Sequence, residues 1–206
     1  MERQKHITTL FLDIGGVLLS DGWDRNARKD ASAHFHIDHL AMEERHHINF
    51  STYELGKLSL NDYLASVVFN EGRDFSTTAF KKFMFSQSKP LPNMLKLIRL
   101  LKKKYQLKIA AVSNEGRELN QYRIHKFRLD DIIDTFISSC FVHLSKPDLD
   151  LFRLAIDTMQ SPVSKILYIE NQPIFVANAA ALGISTILHR DYDTTLAQLS
   201  IFGLKP

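Results

Sequence analysis

Cysteine is almost missing from this chain: its 206 residues include one, Cys140. A lone thiol excludes an internal disulfide and suits a reducing compartment. Long apolar runs are missing too, since none reaches the roughly 20 residues that a transmembrane helix needs. The opening stretch Met1–His6 is polar and charged, unlike the apolar centre of a secretory signal. A soluble, cytoplasmic protein without a membrane partner is therefore expected. Charge of one sign is scarce, the net value being +3. The basic run Lys102-Lys103-Lys104 falls in the last turn of a predicted helix, where the dipole favours cations, so no nucleic-acid partner is implied. There is no internal repeat and no low-complexity segment. What is present is ordinary for a globular chain: 45% apolar and 24% charged residues, enough for one substantial core or a core with a small appended unit.

The stretch Phe11-Leu12-Asp13-Ile14-Gly15-Gly16-Val17-Leu18-Leu19 organises the rest. Ile7–Leu12 has the β-branched and aromatic content of a strand covered on both faces. It delivers the carboxylate of Asp13 onto a turn softened by Gly15 and Gly16. From residue 20 to about 87 the texture changes to polar residues at helical spacing. Ala31–Phe35 and His39–His47 are predicted helices. Leu60, Tyr63, Leu64, Val67 and Val68 form an apolar stripe behind an N-cap at Ser59 or Asn61, and Phe80, Phe83 and Met84 form another.

From Pro90 onward strands and helices alternate. Predicted strands are Leu107–Val112, Thr135–Ser138, Ile166–Ile169 and Ile184–Leu188. Predicted helices are Leu91–Lys104, Glu115–Phe127, Leu149–Met159, Ile174–Leu182 and Thr194–Phe202. This rhythm implies a three-layer, doubly wound parallel α/β sheet. The expected organisation is a core of residues 1–19 and 88–206 with an all-helical insertion over 20–87.

Parallel strands put their carboxyl ends on one side of the sheet, where open α/β folds bind ligands. Three predicted strands end on polar groups there: Asp13, Ser113-Asn114 and Glu170-Asn171. Lys146 precedes a helix close by. Together these supply an anionic nucleophile, a hydroxyl and amides for an anion, a cation, and a second acid to share a metal.

The order Phe-Leu-Asp-x-Gly-Gly-Val, Val-Ser-Asn, Lys-Pro-Asp and Tyr-Ile-Glu-Asn…Ala-x-x-x-Gly resembles the haloacid dehalogenase-like hydrolase superfamily over nearly the whole chain. The helical insertion resembles that family's type 1 cap. The resemblance implies a phosphatase in which Asp13 attacks phosphorus and an aspartyl-phosphate is then hydrolysed. It assigns Ser113, Asn114, Gly15 and Gly16 to the phosphate of a small phosphorylated substrate. Lys146 neutralises Asp13 and the substrate anion. Mg²⁺ is the implied cofactor, with Asp13, Gly15 (through its carbonyl), Glu170 and Asn171 as its ligands.

Two departures stand out. Family phosphatases place a second aspartate two residues after the nucleophile to protonate the leaving oxygen; here that residue is Gly15. In the fourth motif Glu170, Asn171 and Phe175 stand where acids are usual, which predicts a weaker or reshaped metal site. Dehalogenases of the family also lack the second aspartate, since halide leaves without a proton, so 2-haloacid hydrolysis is an alternative, with Arg25 or Arg28 as candidate carboxylate binders. A catalytically impaired binding protein is the third reading. The insertion histidines (His34, His36, His39, His46, His47) and Cys140 are expected to be packing or solvated residues. So are Phe80, Phe83 and Phe85. Trp23 is a candidate for the pocket mouth, and Phe141 and His143 are read as loop packing near the crevice.

Overall fold

Thr9–Leu12 forms β1, the middle strand of a five-stranded sheet in the computed structural model, which describes residues His6–Pro206. Met1–Lys5, the start of the polar opening stretch, lie outside the described residues. β2 (Lys108–Ser113) and β3 (Thr135–Ser138) lie on one side of β1, with β4 (Ile166–Glu170) and β5 (Ser185–Leu188) on the other. Every neighbouring pair is parallel.

Between β1 and β2 come α1 (Arg25–His34), α2 (His39–Glu54), α3 (Leu60–Val67), α4 (Thr77–Ser86) and α5 (Pro92–Tyr105). Next, α6 (Arg117–Phe127) leads to β3, and α7 (Ser139–Val142) and α8 (Leu149–Met159) lead to β4. α9 (Pro173–Ala181) leads to β5, and α10 (Tyr192–Ile201) follows it.

The period of two along each strand builds two separate apolar layers. Leu10, Leu12, Ile109, Ala111, Leu167 and Ile169 share one with α5. Phe11, Ala110, Val112, Ile166 and Tyr168 face the other, against α8. The insertion has a third cluster of its own around Trp23, Tyr53, Tyr63 and Phe80, which Leu119 of α6 joins from below.

Some expected bounds move, for physical reasons. β1 begins at Thr9, not Ile7. α1 starts at Arg25 because Asp24 accepts the backbone N–H of Ala27 as its cap. α2 runs past His47 to Glu54, since His46, Phe50 and Tyr53 continue its inward face and Tyr53 stacks on Tyr63 with centroids 4.9 Å apart. Ser59, rather than Asn61, caps α3. α7, only four residues long, is too short to carry a period that could be read in the sequence.

Register then fixes the site. Leu12 pairs with Ala111 on one side and Ile169 on the other, so Asp13, Ser113 and Glu170 leave the sheet on the same edge.

Candidate active site

Past β1 the chain folds back sharply. The Ile14 carbonyl accepts the N–H groups of Leu18 and Leu19, each at 3.0 Å, and the Gly16 N–H donates to Leu19 at 2.7 Å. Gly16 has φ +71, and a Cβ there would lie 1.9 Å from Asn171 Nδ2. Only glycine fits between this turn and the fourth-motif amide. Gly15 is different: its Cβ would sit 3.5 Å from Asp21 Oδ1, an ordinary contact. A side chain at position 15 would point toward the Asp21 carboxylate.

Lys146 is the hub. Its side chain is about 1% exposed, and Nζ lies 3.1 Å from Asp13 Oδ1 and 2.7 Å from Glu170 Oε2. It also donates to the Tyr168 hydroxyl at 3.2 Å and sits 4.8 Å from the centre of the Phe175 ring. Burial pushes the ammonium pKa down, but the charges of Asp13 and Glu170 outweigh it and hold the value above that of an ordinary lysine. Burial, with the Asp13 charge, raises the Glu170 carboxyl against the pull of Lys146.

Glu170 is fully buried, and both of its oxygens are spoken for. Oε2 accepts from Lys146 and Tyr168, and Oε1 accepts from the Gln172 N–H at 2.9 Å. The acid expected to hold a metal thus props up the lysine and does not line the chamber. Its neighbour does. Asn171 lines the chamber together with Asp13 and Gly15, and its Oδ1 is buried without a hydrogen-bond partner. An amide oxygen without a partner is a hard donor of the kind Mg²⁺ takes, and Asp13 brings a carboxylate to the same chamber. Among the described residues no group of three or more His, Cys, Asp or Glu is placed to hold a metal. Three of the five insertion histidines have other partners, since His46 bonds the Tyr63 hydroxyl at 2.7 Å, His39 bonds Ser32, and His34 stacks on Phe83, while His36 and His47 are exposed.

The chamber above Asp13 has a volume of about 310 Å³ and also takes in Ser113 and Lys146. Ser113 is buried, with its hydroxyl 3.5 Å from Glu115 Oε1. Asn114 spends its side chain on fixing the lysine loop, since Nδ2 donates to the Lys146 carbonyl at 2.9 Å and Oδ1 accepts the Lys146 N–H at 2.8 Å. A second cavity of about 230 Å³ extends under the insertion between Trp23, Phe50, Tyr53 and Leu119. It shares Asp21, Glu54, Asn114 and Glu115 with the chamber.

Sequence reasoning passed over these three acids. Glu54 lies at the end of a helix whose length was underestimated, and its carboxyl is pushed up to about 7 by burial and the Glu115 charge. Asp21 is raised by burial and by the charges of Asp24 and Asp13. Glu115 is buried against Arg123 at 2.6 Å. The remaining candidates fall outside the chamber's lining. Arg28 reaches the second cavity, but its donors are held by Glu43, at 2.5 and 3.0 Å, and by the Trp23 carbonyl. Arg25 is exposed. Phe141 lies under the Arg117 guanidinium, and the His143 ring bonds the Leu55 carbonyl. Cys140 is buried, its thiol pushed up to about 12 by desolvation. Trp23 lines the second cavity while donating to the Tyr63 hydroxyl at 3.0 Å.

A carboxylate-bearing turn, a buried lysine and a four-motif strand edge agree with a wider comparison: the sequence profile of the haloacid dehalogenase-like hydrolases matches residues 7–183. The chain belongs to that family. Among solved haloacid dehalogenase-like structures, it is similar to a HAD family enzyme from Bacteroides thetaiotaomicron in complex with magnesium and inorganic phosphate. The TM-score is 0.74 at 18% identity, covering 92% of this chain and 98% of that one. It is also similar to the L-2-haloacid dehalogenase of Xanthobacter autotrophicus, with a TM-score of 0.62 at 17% identity, covering 97% and 85%. Both likenesses concern the fold. Bifunctional epoxide hydrolase 2 of Sus scrofa is 33% identical over 66 residues, which are 32% of this chain but only 12% of that protein.

Proposed function

We propose that this hydrolase cleaves a small phosphate monoester through Asp13. The observation that carries the reading is Lys146, pinned between Asp13 and Glu170 on the chamber floor, where it meets both the nucleophile and an incoming anion. An Asp13 oxygen attacks phosphorus, and water then releases phosphate from the aspartyl-phosphate. Ser113 faces the same chamber and is assigned to the phosphoryl oxygens. Lys146, with its fixed charge, stabilises the charge that develops on them. Asn114 positions the lysine loop. Gly16 permits the close approach of turn and amide. Asn171 takes the metal role expected of Glu170, beside Asp13 and the Gly15 carbonyl. Mg²⁺ held there supplies charge neutralisation at the transferring group.

The Bacteroides relative, crystallised with magnesium and phosphate, supports the choice of substrate class. The missing acid at Gly15 suits a halide leaving group equally well. The haloacid reading also needs a free cation for the substrate carboxylate, and Arg28, the candidate that reaches the second cavity, is already held by Glu43. The insertion over residues 20–87 is assigned as the cap that selects the substrate, and the protein is assigned to the cytoplasm.

The test is phosphate release from a panel of monoesters with and without Mg²⁺, for the native chain and for Asp13→Asn. Metal-dependent release that disappears in the variant, with the melting temperature preserved, is the expected result. Equal release by Asp13→Asn, or chelator-insensitive halide release from 2-haloacids in place of phosphate, refutes it.

A further inference from the structure

The leaving oxygen needs a proton, and Gly15 has none to give. We propose that Glu54, at the end of α2, is the acid–base residue of this site. The inference rests on the phosphatase reading above and adds a residue to it.

Placement is the first argument. Glu54 reaches the chamber from the insertion and lines it together with Asp13, Ser113 and Lys146. It also lines the second cavity, so it stands where the phosphoryl site opens toward the room left for a leaving group. Its Oε2 accepts from Asn114 Nδ2 at 3.2 Å, which ties its carboxyl to the strand end that bears Ser113.

Rigidity is the second. The end of α2 is fastened to the core at several points. Ser139 Oγ donates to the Glu54 carbonyl at 2.8 Å, and the His143 ring bonds the Leu55 carbonyl at 2.7 Å. Gly56, at φ +66, packs so closely on α7 that a Cβ would lie 2.1 Å from the Cys140 carbonyl oxygen. The Tyr53 ring lies over Gly116 just as tightly, where a Cβ would meet it at 2.1 Å. Glu54 is therefore held in register with the nucleophile, although it comes from the insertion.

Its charge environment agrees. Glu115 at the foot of α6 and Asp13 at the end of β1 raise the carboxyl, Lys146 lowers it, and burial is the largest influence. Asp21 borders the same space, and the Arg117 guanidinium is bound to the Cys140 carbonyl on the α7 side. A carboxyl poised near neutrality can give a proton and take one back.

The steps balance. In the first, the Asp13–phosphorus bond forms, the phosphorus–oxygen bond to the leaving group breaks, and the Glu54 proton goes to that oxygen, releasing an alcohol. In the second, the Glu54 carboxylate takes a proton from water as its oxygen bonds phosphorus. The Asp13–phosphorus bond then breaks, and Asp13 returns as carboxylate with phosphate released.

The experiment compares the native chain, Glu54→Gln, Glu54→Asp and Asp13→Asn on an alkyl phosphate and on p-nitrophenyl phosphate, whose leaving group needs no proton. Glu54→Gln should lose about 10²–10⁴-fold in kcat on the alkyl ester. On the aryl ester it should release close to one equivalent of nitrophenolate in a burst and then stall. The limb near pH 7 in the native rate profile should vanish, Glu54→Asp should fall between, and the melting temperature should hold. Native turnover that Asp13→Asn abolishes but Glu54→Gln leaves intact overturns the role of Glu54 alone. Equal losses on both esters with no burst overturn it as well. No turnover by the native chain overturns the phosphatase reading and this one together.

Discussion

With Lys146 replaced by Met, no cation would stand between the Asp13 carboxylate and the Glu170 carboxylate buried behind it. Glu170 is fully buried, so the variant strands a charge or forces its protonation. Removing one partner of a buried pair typically costs about 3–5 kcal/mol. Lys146→Met is therefore expected to lower the unfolding free energy read from urea denaturation by an amount in that range and to abolish turnover. Lowering the pH, which protonates the raised Glu170 carboxyl, should recover part of the stability and none of the activity. Asp13, Ser113 and Lys146 each sit at a strand end or helix start that periodicity can place, and the fold brings all three to one chamber. The sequence sets Glu170 and Asn171 side by side as metal ligands, and of the two only Asn171 lines the chamber. Two adjacent residues leaving a strand point in opposite directions, and no pattern in the sequence says which one faces the chamber. Glu54 was invisible for a different reason: its partners Ser139 and Asn114 are 85 and 60 residues away in the chain.

The seam between α2 and α7 belongs to the scale of elements. Gly56→Ala would put a methyl group 2.1 Å from the Cys140 carbonyl oxygen and would hold alanine at φ +66. A left-handed residue costs about 1–2 kcal/mol, which for a chain of this size lowers the melting temperature by roughly 2–8 °C. The clash adds to that. Differential scanning calorimetry should show the drop, and turnover should fall with it because the end of α2 lifts from the core. An unchanged melting temperature would show that the seam is looser than its geometry. The elements themselves were largely readable. Leu149–Met159 and Thr135–Ser138 have the bounds their composition predicts. The insertion was read less well, because the inward face of α2 is built of His46, Phe50 and Tyr53, residues that a simple aliphatic stripe does not include.

Across the whole molecule, two buried groups set opposite pH dependences. Desolvation lowers His46 from 6.5 to about 4 in the folded chain. Between those values the unfolded chain binds a proton that the folded chain refuses. Stability contributed by His46 is therefore present above pH 6.5 and is lost as the pH falls through 4. Glu54, raised from 4.5 to about 7, acts the other way: the folded chain holds the extra proton, so its contribution is present below pH 4.5 and is lost as the pH rises through 7. His46→Gln should thus lose less stability than the native chain between pH 7 and pH 4, as read from urea midpoints; parallel curves would contradict the burial of a neutral imidazole. The same long-range assembly explains what could be read of the molecule at large. A parallel sheet with both faces covered announces itself in its strands, whereas the meeting of insertion and core depends on contacts between distant segments.

In the proposed reaction Asp13 carries the phosphoryl group. Acid-quenched turnover with a monoester, followed by peptide mass spectrometry, tests it directly. One phosphoryl group should appear on the peptide containing Asp13, absent from Asp13→Asn and longer-lived in Glu54→Gln. Steady phosphate release by the native chain with no such adduct, or with the adduct on another residue, would contradict the account.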